Sequence, residues 1–443
     1  MRAFHDLTRV SVSFDEANLV PSAGLLPAAL LAQRLGLAEL VDQRLTLACH
    51  GANGGTKALT VIGSMLAGGD SIDDTDLLRA GATGALFGAT RAPSTIGSWL
   101  RAFKWHNVRQ LDAVSRELLA RLWSAGAGPT DLCAPMTLDL DSTIVEVYGR
   151  GKQGAAFGHT KVRGYHPQLA TCAETGQVMF SRLRGGNAGA ARGAKSFLTE
   201  TISRVRHAGA TGELTVRADS AFYSRAVLST ATKLDVRFSV TVRQDRKLRA
   251  AIEAIEEPAW QPIPYWLSTP EVSGADLAET TYRCFAGTKD AVDVRLIVRR
   301  VRPTPGSQLA LFTAWDYHAF VTDRDGALVE LEADHRRHAI VEQSIAELKS
   351  AGLAHLPSGR FAANAAWLAL TATAHNLGRG VGILAGHDLA RATAASLRRK
   401  LFCVPARLVH TARRLHLRLP ERWPSAAAFS TALASIAAIP ARC

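Results

Sequence analysis

Thr137-Leu138-Asp139-Leu140-Asp141-Ser142-Thr143 alternates two acids with leucines and closes on two hydroxyls. In a strand the side-chain period is two, so Asp139 and Asp141 share one face while Leu138 and Leu140 fill the other. A carboxylate held in an apolar strand is costly unless it is paired or bound to metal. A strand carrying two of them is therefore expected to display at least one for chemistry.

Downstream the texture is strand-rich. Residues 168–172 and 178–183 read as short strands separated by the turn Glu174-Thr175-Gly176-Gln177. A helix is expected over 195–205, then a fourth strand over 213–217 that delivers Ala218-Asp219-Ser220, a helix over 221–233 and a fifth strand over 237–242. Three strands in meander order followed by helix, strand, helix, strand predict an α/β fold, a mixed sheet flanked by helices. Asp219 then stands at a strand end, where such sheets carry their sites. Residues 244–317 break the rhythm with prolines at 258, 262, 264 and 270, among others, the tryptophans 260, 266 and 315 and a strand-like run over 292–301. They read as a β-rich insertion, the tryptophans forming its core or stacking on a displaced base. Phe320-Val321-Thr322 returns to the sheet, and 333–351 is expected to be one long helix. At 100° per residue His335, His338, Glu342 and Lys349 fall in one stripe beside Val341, Ile345 and Leu348.

Around this centre lie two helical regions. Apolar spacing predicts helices over 25–47 and 57–67, with another starting at Pro93-Ser94 and capped by Ser94. Residues 126–129 close that region as a linker. The division expected is thus 1–130, helical and a candidate for binding DNA ends; 131–243 with 318–360, the core; 244–317, the insertion; and 361–443, a basic helical region. Between 391 and 422 nine Arg or Lys oppose Glu421 alone, a concentration within a chain of formal charge +13. Cations so gathered suit phosphates, and Arg398, Arg399, Lys400, Arg413 and Arg414 are the candidate contacts. The six cysteines are scattered without a Cys-x-x-Cys pair, which argues against a zinc site or a disulfide frame. Residues 1–6 lack an apolar signal core, so a cytoplasmic location is expected.

Three acids delivered by two strand ends and a helix are what two-metal phosphoryl transfer requires, because hard divalent ions take carboxylate oxygens. Asp141, Asp219 and Glu342 supply them at separations of 78 and 123 residues. Asp139 competes for the first role.

The stretches LDLDSTIVEVYGRGKQGA (138–155), KVRGYHPQLA (161–170), RLRGGNAGAARGAKSFL (182–198), VRADSAFYS (216–224) and EQSIAELK (342–349) together resemble the DDE transposases of bacterial insertion sequences, most closely the IS-thirteen-eighty branch. The resemblance implies an RNase H-like core and the catalytic, metal-binding set Asp141, Asp219 and Glu342. It also implies two Mg²⁺ ions for which Mn²⁺ substitutes, double-stranded DNA as element ends and target, and a homodimer in the synaptic complex at the bacterial nucleoid. Related transposases carry tyrosine, arginine, glutamate and lysine on the last helix. Here those positions are His335, His338, Glu342 and Lys349; both histidines depart from the pattern but stay candidate DNA contacts, able to donate to a phosphate when protonated, and Lys349 is the better phosphate contact.

Two other readings stand beside this one. Asp139-Leu140-Asp141-Ser142-Thr143 also fits the loop of haloacid-dehalogenase-type phosphatases, with Asp139 as nucleophile. A transposase-derived DNA-binding protein that has lost activity would keep the fold. Gly185-Gly186-Asn187 reads either as a strand-ending turn or as backbone that approaches a phosphate.

Overall fold

The computed structural model describes residues 6–263, 274–302, 315–412 and 414–441. Its centre is a nine-stranded mixed sheet made of β1 (Met136–Ser142), β2 (Gln168–Cys172), β3 (Val178–Arg182), β4 (Leu214–Ala218), β5 (Arg237–Thr241), β6 (Gln261–Ile263), β7 (Ala275–Cys284), β8 (Val292–Val301) and β9 (Asp316–Thr322). The spatial order is β6-β7-β8-β9-β5-β4-β1-β2-β3. β1, β2 and β3 form an antiparallel meander, and β4 and β5 join parallel to β1 through the helices Ala194–His207 and Arg225–Lys233.

Alternation gives the sheet two unlike faces. Leu138, Leu140, Val216, Ala218, Phe238 and Val240 are buried in the main apolar core. The opposite face carries a polar row in register across five strands: Thr171, Asp139, Arg217, Ser239 and Thr322. Each of these is no more than 2% exposed. Buried polar groups need partners, and the segment after β9 provides them.

That segment is not the single rod expected. It begins earlier, as a helix over Leu328–Arg336, tightens into a 3₁₀ turn over Arg337–Ala339, resumes as a helix over Ile340–Leu348 and ends in a π turn over Lys349–Leu353. Gly352, at φ +120°, takes the backbone angle that ends it.

The insertion adds strands to the edge of the sheet. β6, β7 and β8 continue the sheet outward by antiparallel pairing with β9, which itself pairs with β5. Arg300 explains two of the tryptophans: its guanidinium lies 4.3 Å from the ring centres of both Trp260 and Trp315 and is held by Asp276 and Glu257. These rings serve the insertion's own packing. Trp266 lies outside the described residues.

The helical regions from both ends of the chain meet on one buried helix, Phe361–Ala385, which is mostly apolar or small all round and buries Asn364, His375, Asn376 and Arg379 as well. It packs against Gly54–Ala67, Trp105–Ser124, Ala426–Ala437 and β3. A methyl group at Gly382 would come within 2.8 Å of the Leu389 carbonyl, so glycine permits that approach. The region beyond it is not wholly helical: Ala406–Thr411 and Arg414–Arg418 form an antiparallel hairpin, edged by Leu19–Val20. Among the described residues no single helix is long and apolar enough to cross a membrane.

Candidate active site

The register of β1 against β4 builds the site. Asp139 lies opposite Arg217 and Leu140 opposite Ala218. One step further along both parallel strands brings Asp141 beside Asp219, on the face that already carries Asp139 and Arg217. Hence one layer is an acid against a cation, and the next is an acid against an acid.

The first layer is closed. Arg217 donates from Nε to Asp139 Oδ1 at 2.6 Å and from Nη2 to Oδ2 at 2.8 Å, with both side chains 1% exposed. His338 Nδ1 donates to the same Oδ1 at 2.8 Å. Arg217 Nη1 also reaches the Asp334 carbonyl and its carboxylate. The phosphatase reading needs Asp139 as an exposed nucleophile, and here its oxygens are occupied and shielded. Asp139 is the anchor for the covering helices.

The second layer is open. Asp141 Oδ1 accepts from the Ser142 amide at 2.6 Å and Asp219 Oδ1 from the Ala221 amide at 3.1 Å. Both carboxylates are half-buried, and Glu342 is exposed on the helix that crosses this face. Burial, opposed in part by the Ser142 amide and His338, and reinforced by the charges of Asp219 and Glu342, pushes the Asp141 carboxyl up to about 6. Asp219 and Glu342 are thus near enough for their charges to act on Asp141. Among the described residues no group of three His, Cys, Asp or Glu side chains is drawn close enough to hold a metal ion. The donor set nonetheless suits a hard divalent cation: oxygens only, with repulsion between the carboxylates that a cation would relieve.

The covering helix also places the other sequence candidates. His335 lies flat on Phe320, ring centres 4.0 Å apart, with Nδ1 2.8 Å from Ser239 Oγ and Nε2 2.9 Å from Thr241 Oγ1. Burial, with the neighbouring cations, lowers its pKa to about 3, so it is neutral, one nitrogen donating and one accepting. His335 and His338 were expected to face phosphates; both turn to the sheet because the polar row beneath them needs partners. Glu347, the other acid of the stripe region, is buried and makes two 2.9 Å bonds to Arg379 Nη2. Lys349 is half-exposed at the start of the π turn.

In the tail, Arg399 and Arg414 are exposed and Lys400 half-exposed. Arg398 instead donates to the Ser350 carbonyl at 2.9 Å and the Ser350 hydroxyl at 3.2 Å, bracing the turn after the Glu342 helix. Arg413 lies outside the described residues. Sequence reasoning missed Arg217 and Asp334 as the clamp. A signal for Arg217 existed: Arg217-Ala218-Asp219 mirrors Asp139-Leu140-Asp141, cation against acid, once the two strands are set in parallel.

A family model described as "Transposase DDE domain group 1" matches residues 3–441, and the chain belongs to that family. No curated protein matches it. Among solved structures it is similar to a piggyBac transposase synaptic complex with hairpin DNA, determined by cryo-electron microscopy, at 12% identity and a TM-score of 0.45 over 85% of this chain and 79% of that one.

Proposed function

We propose that this chain is the transposase of a bacterial insertion sequence of the IS-thirteen-eighty branch, an RNase H-like enzyme that cleaves its element's ends and joins them to target DNA. The observation that carries the reading is that Asp141 and Asp219 each follow the last paired position of parallel β1 and β4, Leu140 against Ala218, and that the charges of Asp219 and Glu342 both act on Asp141. The meander of β1 to β3 followed by parallel β4 and β5 supports the RNase H-like assignment.

Asp141, Asp219 and Glu342 would hold Mg²⁺ or Mn²⁺. Bound there, such ions would supply Lewis acidity for an in-line displacement at phosphorus. The chain's own residues do the rest. Asp141 and Asp219 are fixed by amides at the ends of rigid strands, and Arg217 and His338 lock the Glu342 helix over them through Asp139. Water nicks the element end, and the freed 3′-hydroxyl then attacks a second phosphodiester in the same site. Lys349, Arg399, Lys400 and Arg414 contact backbone phosphates beyond the reacting one, and two copies bring two ends together.

The test is incubation of the chain with duplexes carrying the DNA that flanks its own gene. The reading expects Mg²⁺-dependent breaks that leave 3′-hydroxyls at the element boundary. A folded chain that binds these duplexes but cuts none of them in Mg²⁺ or Mn²⁺ would favour the inactive, DNA-binding reading.

A further inference from the structure

The loop between β3 and the helix Ala194–His207 is built around a buried cation. Arg184 is 8% exposed. Its Nε donates to the His166 carbonyl at 3.0 Å, and its Nη1 donates to the carbonyls of Gly189 at 2.7 Å, Ala190 at 3.3 Å and Arg192 at 3.0 Å. Those bonds fold the loop back on the guanidinium, yet Nη2 has no hydrogen-bond partner. All the acceptors are neutral carbonyls. Burial, with the charges of Arg182 and Arg192, both cations, draws its pKa down to about 10. A buried guanidinium with an unpaired N–H and cationic neighbours lacks an anion.

The surroundings suit one. Arg184 lines a cleft of about 400 Å³ together with Gly185, Asn187, Ala188, Arg192 and Gly193. Gly193, at φ +76°, turns the chain into the 14-residue helix Ala194–His207, and no side chain caps it. The first amides of a helix have no intrahelical acceptor and favour negative charge; here the Ala194 amide donates to the Ala191 carbonyl at 3.1 Å, so the amides after it are the ones on offer. Arg192 and Lys195 are exposed beside that end.

The loop is also fastened to the catalytic end of the sheet. His166 Nδ1 donates to the Ala188 carbonyl at 2.6 Å and Gln168 Nε2 to the Ala190 carbonyl at 2.7 Å. Gln168 lies opposite Ser142 in the β1–β2 register, one residue past Asp141. The Asp219 charge acts on His166 as well.

We propose that residues 184–193 and the first turn of the following helix form a phosphate subsite, which holds a backbone phosphodiester of the DNA strand beside the one being cut. This rests on the transposase reading and adds a contact to it. Arg184 shapes the cradle, while the helix amides, Arg192 and Lys195 face the phosphate. The contact is to backbone, so it positions the strand without reading bases.

The experiment uses the full chain, EDTA and a short fluorescent duplex, so that binding is read without cleavage. Asn187→Asp keeps the side-chain shape and sets a negative charge in the cleft; Asn187→Ser is the neutral control. The aspartate variant is expected to bind about tenfold or more weakly than the serine variant, since like charges set against each other are unfavourable. Arg192→Ala should lower the slope of log affinity against log salt by about 0.9, the share of one phosphate contact. Circular dichroism and melting temperature establish that each variant is folded. Equal duplex affinity in wild type and Asn187→Asp overturns the subsite. If inorganic phosphate raises the wild-type melting temperature, but not that of Asn187→Asp, while duplex affinity is the same in both, the cleft takes free anion and the DNA assignment is overturned. Should the wild type cut its own ends while Asn187→Asp binds them equally well, the subsite fails and the transposase reading stands. A wild type that neither binds nor cuts DNA overturns both.

Discussion

Asp141 works against the fold that holds it. Its carboxyl is pushed from an ordinary value of 3.8 up to about 6, first by burial and then by Asp219 and Glu342. The folded chain therefore holds this proton more tightly than the unfolded chain, and stability falls as pH rises from about 4 through 6. At about 1.4 kcal/mol per unit of pKa difference, the ceiling is about 3 kcal/mol. Asp141→Asn cannot ionise, so it is expected to raise unfolding free energy at pH 7.5 by up to about 3 kcal/mol and to change it little at pH 3.5. Denaturant melts at the two pH values check this, and an equal effect at both would contradict it. Asp139 behaves oppositely. Asp139→Ala strands the buried Arg217 guanidinium, and breaking a buried pair in this way costs about 3–5 kcal/mol. From the sequence alone the two acids cannot be ranked, because the strand period puts both on one face. What ranks them is the residue opposite in β4: a cation at 217, an acid at 219.

The Glu342 element separates two glutamates in the same way. Glu347 is buried against Arg379, whereas Glu342 is exposed. Glu347→Ala is expected to lower stability by about 3–5 kcal/mol, and Glu342→Ala to leave it within about 0.5 kcal/mol while abolishing Mg²⁺-dependent cleavage and sparing DNA binding. Paired melting and cleavage assays decide; a Glu342→Ala chain that still cuts would remove it from the site. Strands were the more legible elements. β2 falls where alternation and the following turn place it, and β1, β3, β4 and β5 agree to within a residue or two. Helix ends were harder to read. Residues 25–47 split at Gly36, whose φ of +65° marks the break, and the helix at 93 starts with Pro93 in its first turn and Ala92 as N-cap, not Ser94. The 3₁₀ turn over Arg337–Ala339 carries neither glycine nor proline, so nothing local announced it. It forms where His335 and His338 each seat on a different strand.

On the scale of the whole molecule, the sheet and the helices from both ends of the chain share one core, because the helix Phe361–Ala385 touches both ends and β3, while the basic hairpin packs in a smaller cluster with Val20 and Ala23. Charge concentration in the tail was legible, but its form was not. The hairpin Ala406–Thr411 with Arg414–Arg418 is short and rich in cations, and its strand character comes from pairing with Leu19–Val20, nearly four hundred residues away. Arg399, Lys400 and Arg414 together should carry up to three phosphate contacts, so changing all three to alanine is expected to flatten the salt dependence of DNA binding by about 2–3 logarithmic units. Preference among DNA ends should survive, and an unchanged slope in the folded triple variant would mean that these cations serve solubility. The central claim is that β1 and β4, in their parallel register, present Asp141 and Asp219 to divalent ions under Glu342. Anomalous diffraction from crystals of the chain with an element-end duplex and Mn²⁺ tests it most directly. The account predicts anomalous peaks coordinated by the Asp141 and Asp219 carboxylates, at least one of them also reached by Glu342, with Asp139 still bound to Arg217. Manganese bound by Asp139, or absent from Asp141 in a crystal that holds the duplex, would contradict it.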